Sequence, residues 1–234
     1  MIHRYLLPVA LLAAACGAEP KPPAAAPPAE APPAPAPAPA APSVVPDMLL
    51  RGIVQLDPAI TFQSCDTRII ASPVDSTGGR LVSTFRLMHA TGETGMYVLA
   101  RGVRAGNGLV ILREIQFARI PTATEGCDQP LPNADIVVRG TKPDWGLTLS
   151  SSGSEFNQAT DPVSIIAPAV QPTMQNGIMK YDISAGTGGA HTLQLELTPA
   201  ACNLGGDYIY SSMRAVLSLD GKPLAGCAWR TRLP

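Results

Sequence analysis

The sequence has few of the residues on which catalytic and metal sites usually depend. It holds three histidines and five cysteines in 234 residues, and no two cysteines form a CxxC pair. It contains no G-x-S-x-G elbow, no phosphate-binding Walker loop and no GxGxxG fingerprint. We therefore predict a protein that is not an enzyme and that carries neither a metal nor a cofactor.

Charge is also scarce, because only 15% of the residues are Asp, Glu, Lys or Arg. Removing residues 1–15 removes Arg4 and no acidic residue, which leaves 16 basic and 18 acidic side chains. A nearly neutral chain has no electrostatic footprint for a polyanion. The composition therefore predicts no nucleic-acid partner.

The first fifteen residues follow the plan of a secretory signal. Arg4 gives a basic start, and an apolar run of about ten residues from Tyr5 leads to the small residues Ala13, Ala14 and Ala15. This run is far shorter than the roughly 20 residues that a membrane-spanning helix needs. We therefore predict a signal peptide over residues 1–15.

The stretch Leu11-Leu12-Ala13-Ala14-Ala15-Cys16 resembles a bacterial lipobox. The resemblance implies cleavage before Cys16 and lipidation of that residue with acyl chains such as palmitate. Gly17, not Asp, follows the cysteine, which in lipoproteins of two-membrane (Gram-negative) bacteria implies the periplasmic face of the outer membrane. Several acyl chains on one residue make a stable anchor. The alternative is an ordinary signal cut after Ala15 or Ala18, with Cys16 incidental.

Residues 16–46 comprise the lipidated cysteine and a Pro/Ala-rich linker. Between Gly17 and Pro46 there are 12 Pro and 11 Ala among 30 residues. Such a segment cannot bury a core, and its prolines favour polyproline II. At about 3.1 Å per residue it reaches roughly 90 Å at most, which suits a tether between a membrane and a folded body. A proline-motif ligand is the alternative, although no basic residues flank the prolines in the pattern that an SH3-type ligand needs.

Four cysteines remain in the body of the chain once Cys16 is assigned to lipid. An even number is expected in an oxidising periplasm. Three pairings are possible, and we favour Cys65–Cys127 with Cys202–Cys227 because each closes a loop within one half of the body. A metal site is disfavoured, since only His89 and His191 accompany these cysteines.

Hydrophobic patterning predicts that the body is mainly β, with one short helix. Leu81, Phe85 and Met88 recur at helical spacing. Gly106-Asn107-Gly108 joins two long apolar stretches as a hairpin, and we expect Leu109, Ile111, Ile115 and Phe117 to share one face of the second strand. Further strands are predicted over these segments: Leu50–Leu56, Ile60–Phe62, Arg68–Ala71, Trp145–Leu149, Val163–Ile166, Met179–Ile183, Leu193–Leu197, Ala215–Leu219 and Leu224–Trp229.

Alternation is clearest where Leu193, Leu195 and Leu197 interleave with Gln194, Glu196 and Thr198. Seven or eight strands separated by turn signals predict a small closed barrel or sandwich.

The first half carries a motif of known type. Its parts are, in order, Arg51-Gly52, Ile60-Thr61-Phe62-Gln63-Ser64-Cys65, a short helix, a strand pair and Cys127. This order resembles the OB-type domain of NlpE-like outer-membrane lipoproteins. The resemblance implies a five-stranded OB-type barrel with one short helix over residues 47–130. The CxxC that NlpE carries in another domain is absent.

The second half resembles the small barrel of related envelope lipoproteins. Arg139-Gly140-Thr141-Lys142-Pro143-Asp144-Trp145 matches their G-x-x-P-x-W segment, and Cys202 with Gly221-Lys222-Pro223-Leu224-Ala225-Gly226-Cys227 matches their closing cysteines. These barrels are similar in outline to periplasmic lysozyme inhibitors and HslJ/META domains. The resemblance implies a small antiparallel β-barrel or sandwich over residues 131–234.

The predicted function is that of a non-enzymatic, lipid-anchored protein that binds or senses a periplasmic partner, for example in envelope stress. Small barrels bind through loops at one end, because side chains fill their interiors. The candidate surface is the loop Asn203–Tyr210, with Tyr208 and Tyr210, and a further candidate is Trp145; for all three aromatic residues the alternative is plain packing. The alternative function is inhibition of a cell-wall hydrolase such as lysozyme by one barrel loop.

Overall fold

The structure, a computed structural model, describes residues 45–56, 58–88, 95–105, 108–159, 163–186, 188–204 and 208–233. It is mainly β, as predicted, with one short helix in these ranges, α1 at Arg80–Leu87. The strands are, in chain order, β1 Met48–Leu56, β2 Ile60–Ser64, β3 Ile70–Ala71, β4 Pro73–Asp75, β5 Met96–Arg104, β6 Val110–Arg119, β7 Ile136–Thr141, β8 Asp144–Ser150, β9 Gly153–Gln158, β10 Val163–Ala167, β11 Thr173–Gln175, β12 Ile178–Ala185, β13 His191–Leu204, β14 Ile209–Leu219 and β15 Lys222–Arg230.

Helix α1 begins where Thr77 can satisfy an unpaired backbone donor. The Thr77 hydroxyl accepts a hydrogen bond from the N–H of Leu81 at 3.0 Å, and Asp75 in turn accepts one from the N–H of Thr77 at 2.9 Å. Leu81 and Phe85 are buried against the sheet together with Met88, so the predicted helical face is confirmed. Within the described ranges, no helix has both the length and the apolar character needed to cross a membrane.

The first half forms a strongly curved sheet around one apolar core. Strands β3, β2, β1, β5 and β6 are antiparallel neighbours in that order, and β4 pairs with β6 in parallel. If β3 and β4 are counted as one strand broken at Ser72, the sheet has the five strands that were predicted. The core lies between this sheet and α1, and its largest fully buried members are Phe62, Leu81, Met96, Leu112 and Ile115.

Strand β6 departs from the predicted pattern. The pairing of β5 with β6 shifts register twice, between Leu99 and Ala100 and between Arg101 and Gly102. Each β-bulge adds one residue to β6 and so reverses which face the next side chains occupy. As a result Ile115 packs in the first core while Phe117 packs in a different cluster, so the expectation that they share one face is wrong.

The second half is a nine-stranded antiparallel sheet in the order β10–β9–β8–β7–β15–β14–β13–β12–β11. The side chains on one face of these strands pack into a single core, which includes Trp145, Phe156, Leu195 and Leu217. The predicted closed barrel is not formed by strand pairing in the described ranges, because β10 and β11 are both end strands. Pro168 and Pro172 lie between these two strands, and proline cannot donate to a β-ladder.

The two halves are joined through the sheet. Tyr210 and Ser211 at the start of β14 pair with Ala118 and Phe117 of β6. The predicted boundary between residues 47–130 and 131–234 falls in the segment 120–135, which contains no strand. Contacts make Ser43–Pro234 one compact unit, and the ability of either half to fold by itself stays a prediction.

Candidate binding site

An aromatic cluster lies where the two halves meet. Tyr97 and Phe117 from the first half pack with Trp229 from the second, and all three side chains are buried. The ring centroids of Phe117 and Trp229 are 4.4 Å apart, and those of Tyr97 and Phe117 are 6.3 Å apart in an edge-to-face arrangement. We call these three rings and the buried residues that pack around them the junction cluster. It exists because β6, β14, β15 and β7 are successive neighbours in one sheet.

Both disulfides border the junction cluster. Cys65 is bonded to Cys127, and Cys202 is bonded to Cys227, which is the pairing favoured from the sequence. The first bridge ties the end of β2 to the segment 120–135, and the second ties β13 to β15. All four half-cystines pack in or against the cluster, so the bridges restrain the walls of the junction.

The segment 120–135 lies beside the cluster and forms one wall of a cavity of about 160 Å³, which we call the aromatic pocket. The lining from the strands is Tyr97, Leu99, Phe117, Arg139 and Trp229, and that from the segment is Thr124, Glu125, Gly126, Gln129, Pro130, Leu131 and Pro132. The Arg51 guanidinium fixes this segment by donating to the Gln129 carbonyl at 2.8 Å. Burial raises the pKa of Tyr97, against the opposing effect of Arg51, so this phenol stays neutral and keeps its proton.

Glu125 connects the aromatic pocket to a second cleft. Its carboxylate forms ion pairs with Arg119 and with Arg139, the latter at 2.6 Å from Nη1 to Oε1. The Arg139 guanidinium also lies 5.7 Å from the centre of the Trp229 ring, in cation–π range. Two guanidinium groups therefore share the Glu125 carboxylate.

The second cleft has a volume of about 320 Å³, and we call it the arginine cleft. It is lined by Arg119, Arg139, Gly140, Thr141, Asp144, Trp145, Gly146, Leu204 and Ile209. The structure therefore brings the predicted Trp145 and two residues of the predicted loop Asn203–Tyr210 to one cleft. Guanidinium, carboxylate and hydroxyl groups line it, a set that can bind a polar and partly charged surface.

Close backbone packing shapes one wall of the arginine cleft. A side chain at Gly226 of β15 would collide with the Arg139 carbonyl oxygen and would lie 2.8 Å from Cζ2 of Trp145. A side chain at Gly140 would collide with the indole nitrogen of the same tryptophan. The Trp145 ring therefore lies flat over glycines of two strands.

The three aromatic residues predicted to bind occupy different environments. Tyr208 is 53% exposed and has a φ of 47°. It immediately precedes Ile209, which pairs with Leu204. Tyr210 is only 5% exposed, because its pairing with Ala118 places it in the first core. Trp145 is 2% exposed and packs near Phe156 in the second core. Packing is thus the role of Tyr210 and the main role of Trp145, and Tyr208 presents its ring to solvent.

Sequence reasoning missed most of this site. Arg139 stands out in the sequence only as part of the segment that resembles G-x-x-P-x-W, and Arg119, Glu125 and Trp229 carry no motif. The available signal was weak: two arginines stand at or near the ends of apolar stretches that are separated by the 120–135 segment.

His191 lies apart from this site. The Nδ1 atom of His191 is 2.9 Å from Asp220, and the hydrogen bond from His191, with one from the N–H of Thr192, lowers the pKa of the Asp220 carboxyl. His89 lies outside the described residues. In the ranges that the structure describes, no three His, Cys, Asp or Glu side chains are arranged to hold a metal ion.

Comparison with known proteins adds no relative. No family model, no curated protein and no solved structure matches this chain.

Proposed function

We propose that this protein is a non-enzymatic, lipid-anchored envelope protein. It binds a periplasmic protein partner through the arginine cleft and the adjacent hairpin of β13 and β14. The observation that carries the proposal is the exposed side chain of Tyr208, which immediately precedes Ile209, a residue of the cleft that Arg119 and Arg139 line. Tyr and Arg are the residue types enriched at the energetic centres of interfaces. The NlpE-like resemblance of residues 47–130 supports the same class of function.

The ends of β13 and β14 next to Tyr208 are held by a disulfide and by backbone pairing. The Cys202–Cys227 bridge ties the first strand of this hairpin to β15, and the pairs Asn203–Tyr210 and Leu204–Ile209 continue the ladder towards its tip. An aromatic side chain on a restrained hairpin loses little conformational entropy when it is buried by a partner. This geometry also supports the second candidate, an inhibitor that inserts the hairpin into the groove of a cell-wall hydrolase such as lysozyme.

Substituting Tyr208→Ala tests the proposal. We expect capture of the partner from envelope extract by the immobilised full chain to weaken about 30-fold, since loss of a hot-spot side chain costs roughly 2 kcal/mol. The melting temperature should stay unchanged, because Tyr208 lies outside the buried cores. Tyr210 is left intact, since its removal would open a cavity in the first core.

Met174→Ala is the matched control, because Met174 is also well exposed but lies on β11, outside the aromatic pocket and the arginine cleft. Equal capture by Tyr208→Ala and Met174→Ala would overturn the proposal.

A parallel assay measures lysozyme activity in the presence of the full chain. Strong inhibition that Tyr208→Ala abolishes would favour the inhibitor, and turnover of a wall or lipid substrate would contradict the non-enzymatic assignment.

The anchor is tested by Cys16→Ala. We expect this variant to move from the membrane fraction to the soluble periplasmic fraction, because the acyl chains have no other attachment point in the predicted lipobox. Ala24→Ser in the linker serves as the control and should remain with the outer membrane. Cell fractionation followed by immunoblotting measures the distribution, and retention of Cys16→Ala on membranes would refute the lipid anchor.

A further inference from the structure

A third cleft lies away from the site just described. It has a volume of about 370 Å³ and sits where β7 begins and where β8 and β15 end. Its charged lining residues are Asp135, Arg230 and Arg232, and Tyr181 lies beside them. The size suits a small molecule, and the mouths of barrel-like sheets are common places for such sites.

Tyr181 places a phenol without a partner at this cleft. The residue is 6% exposed and packs in the second core. Within the described part of the chain, its hydroxyl makes no hydrogen bond and is not among the fully buried polar atoms that lack a partner, so it is accessible from the cleft that Tyr181 lines. Burial raises the pKa of Tyr181, against the opposing effect of the nearby Arg230, so the hydroxyl keeps the proton that it can donate.

The positive charge of Arg230 is not paired with a carboxylate among the described residues. The Arg230 Nη2 atom contacts the Met179 sulfur at 3.1 Å. Arg232, by contrast, is engaged by Asp135 at 3.5 Å and by the Asn133 side-chain oxygen at 2.6 Å. A guanidinium has five donors in a planar fork that matches a carboxylate, so Arg230 retains donors for a ligand.

We propose that this cleft binds a small hydroxylated carboxylic acid, with its carboxylate on Arg230 and Tyr181. The hydroxyls of Ser150 and Ser151 and the amide of Gln171 are available for the ligand's hydroxyl groups, and Leu149, Val170 and Pro172 supply apolar contact. A monoanion fits better than a dianion such as phosphate, because Asp135 offsets Arg232 and leaves Arg230 as the one positive charge to be matched in this lining.

Binding of glucuronate to the purified full chain tests this site, measured by calorimetry in a buffer free of carboxylates. We expect a Kd on the order of 1 mM for glucuronate and no detectable binding of glucose, its uncharged analogue. Arg230→Gln and Tyr181→Phe should each weaken glucuronate binding about tenfold, since a hydrogen bond to a charged group contributes about that factor. Arg214→Gln, on the exposed face of β14, should leave it unchanged.

Several results would overturn the proposal: no binding of glucuronate, equal binding of glucose, tighter binding of phosphate, or glucuronate binding that survives both substitutions. Tyr181→Phe keeps the buried ring, so it remains informative if Arg230→Gln fails to fold. The assay does not involve Tyr208, and its outcome is therefore independent of the proposed partner binding.

Discussion

Replacing Cys65 and Cys127 together by alanine is expected to lower the free energy of unfolding by about 4 kcal/mol. The bridge joins residues 62 positions apart, so it removes much chain entropy from the unfolded state. It also fixes the segment 120–135 beside the junction cluster, where Glu125 pairs with both arginines. Chemical denaturation monitored by fluorescence measures the change.

The second bridge provides the comparison for this double substitution. Cys202 and Cys227 are only 25 positions apart, so their joint replacement by alanine should cost about 0.8 kcal/mol less. Reduction of the wild-type chain should destabilise it at least as much as either double substitution. A loss below about 1 kcal/mol for the Cys65/Cys127 variant would show that this bridge does not restrain the segment.

Trp229→Ala is expected to destabilise the protein by about 3–5 kcal/mol, the range for removing a buried tryptophan or phenylalanine. The Trp229 ring is buried, packs on Phe117 at 4.4 Å and lies under the Arg139 guanidinium. Its loss also removes one wall of the aromatic pocket. Thermal and denaturant unfolding measure the effect.

Two further variants make the Trp229 result specific. Trp229→Phe keeps an aromatic ring at the junction and should cost clearly less than Trp229→Ala. Tyr208→Ala, at an exposed position, should stay within about 0.5 kcal/mol of wild type. If Trp229→Ala were no more destabilising than Tyr208→Ala, the junction cluster would not be a core that joins the two halves.

The fold was predictable where one face of a strand is buried and the other is not. In β13, Leu193, Leu195 and Leu197 are buried while the residues between them are exposed, which gives the period of two that the sequence displays. In β7, by contrast, Ile136 and Val138 pack in the second core and Val137 packs in the junction cluster. A strand covered on both faces shows no alternation, and this strand was not predicted.

Other errors have equally local causes. In β9 only Phe156 among six residues is a large apolar side chain, so its sequence reads as a polar loop. In β6 the two bulges reverse the side-chain alternation, and no residue in the sequence marks where the register shifts. The sheet of the second half ends at β10 and β11 because these two strands do not pair with each other. Amino-acid composition does not determine which strands pair.

The candidate site was predictable only in part. The cysteines and Tyr208 could be selected because their chemistry is recognisable from residue type alone. Arg119 and Arg139 could not, since the order β6–β14–β15–β7 and the position of Glu125 bring them together across 20 residues of sequence. Long-range strand pairing creates this cleft, and it is not encoded in any local pattern.

Site-specific photo-crosslinking in living cells is the most direct test of partner binding at the hairpin. A photoreactive amino acid replaces Tyr208 in one strain and Met174 in another, because both side chains are exposed but only Tyr208 lies beside the arginine cleft. We predict a discrete adduct of the chain with one envelope protein from position 208 and none from position 174. No adduct from position 208, or the same adduct from both positions, would contradict the account.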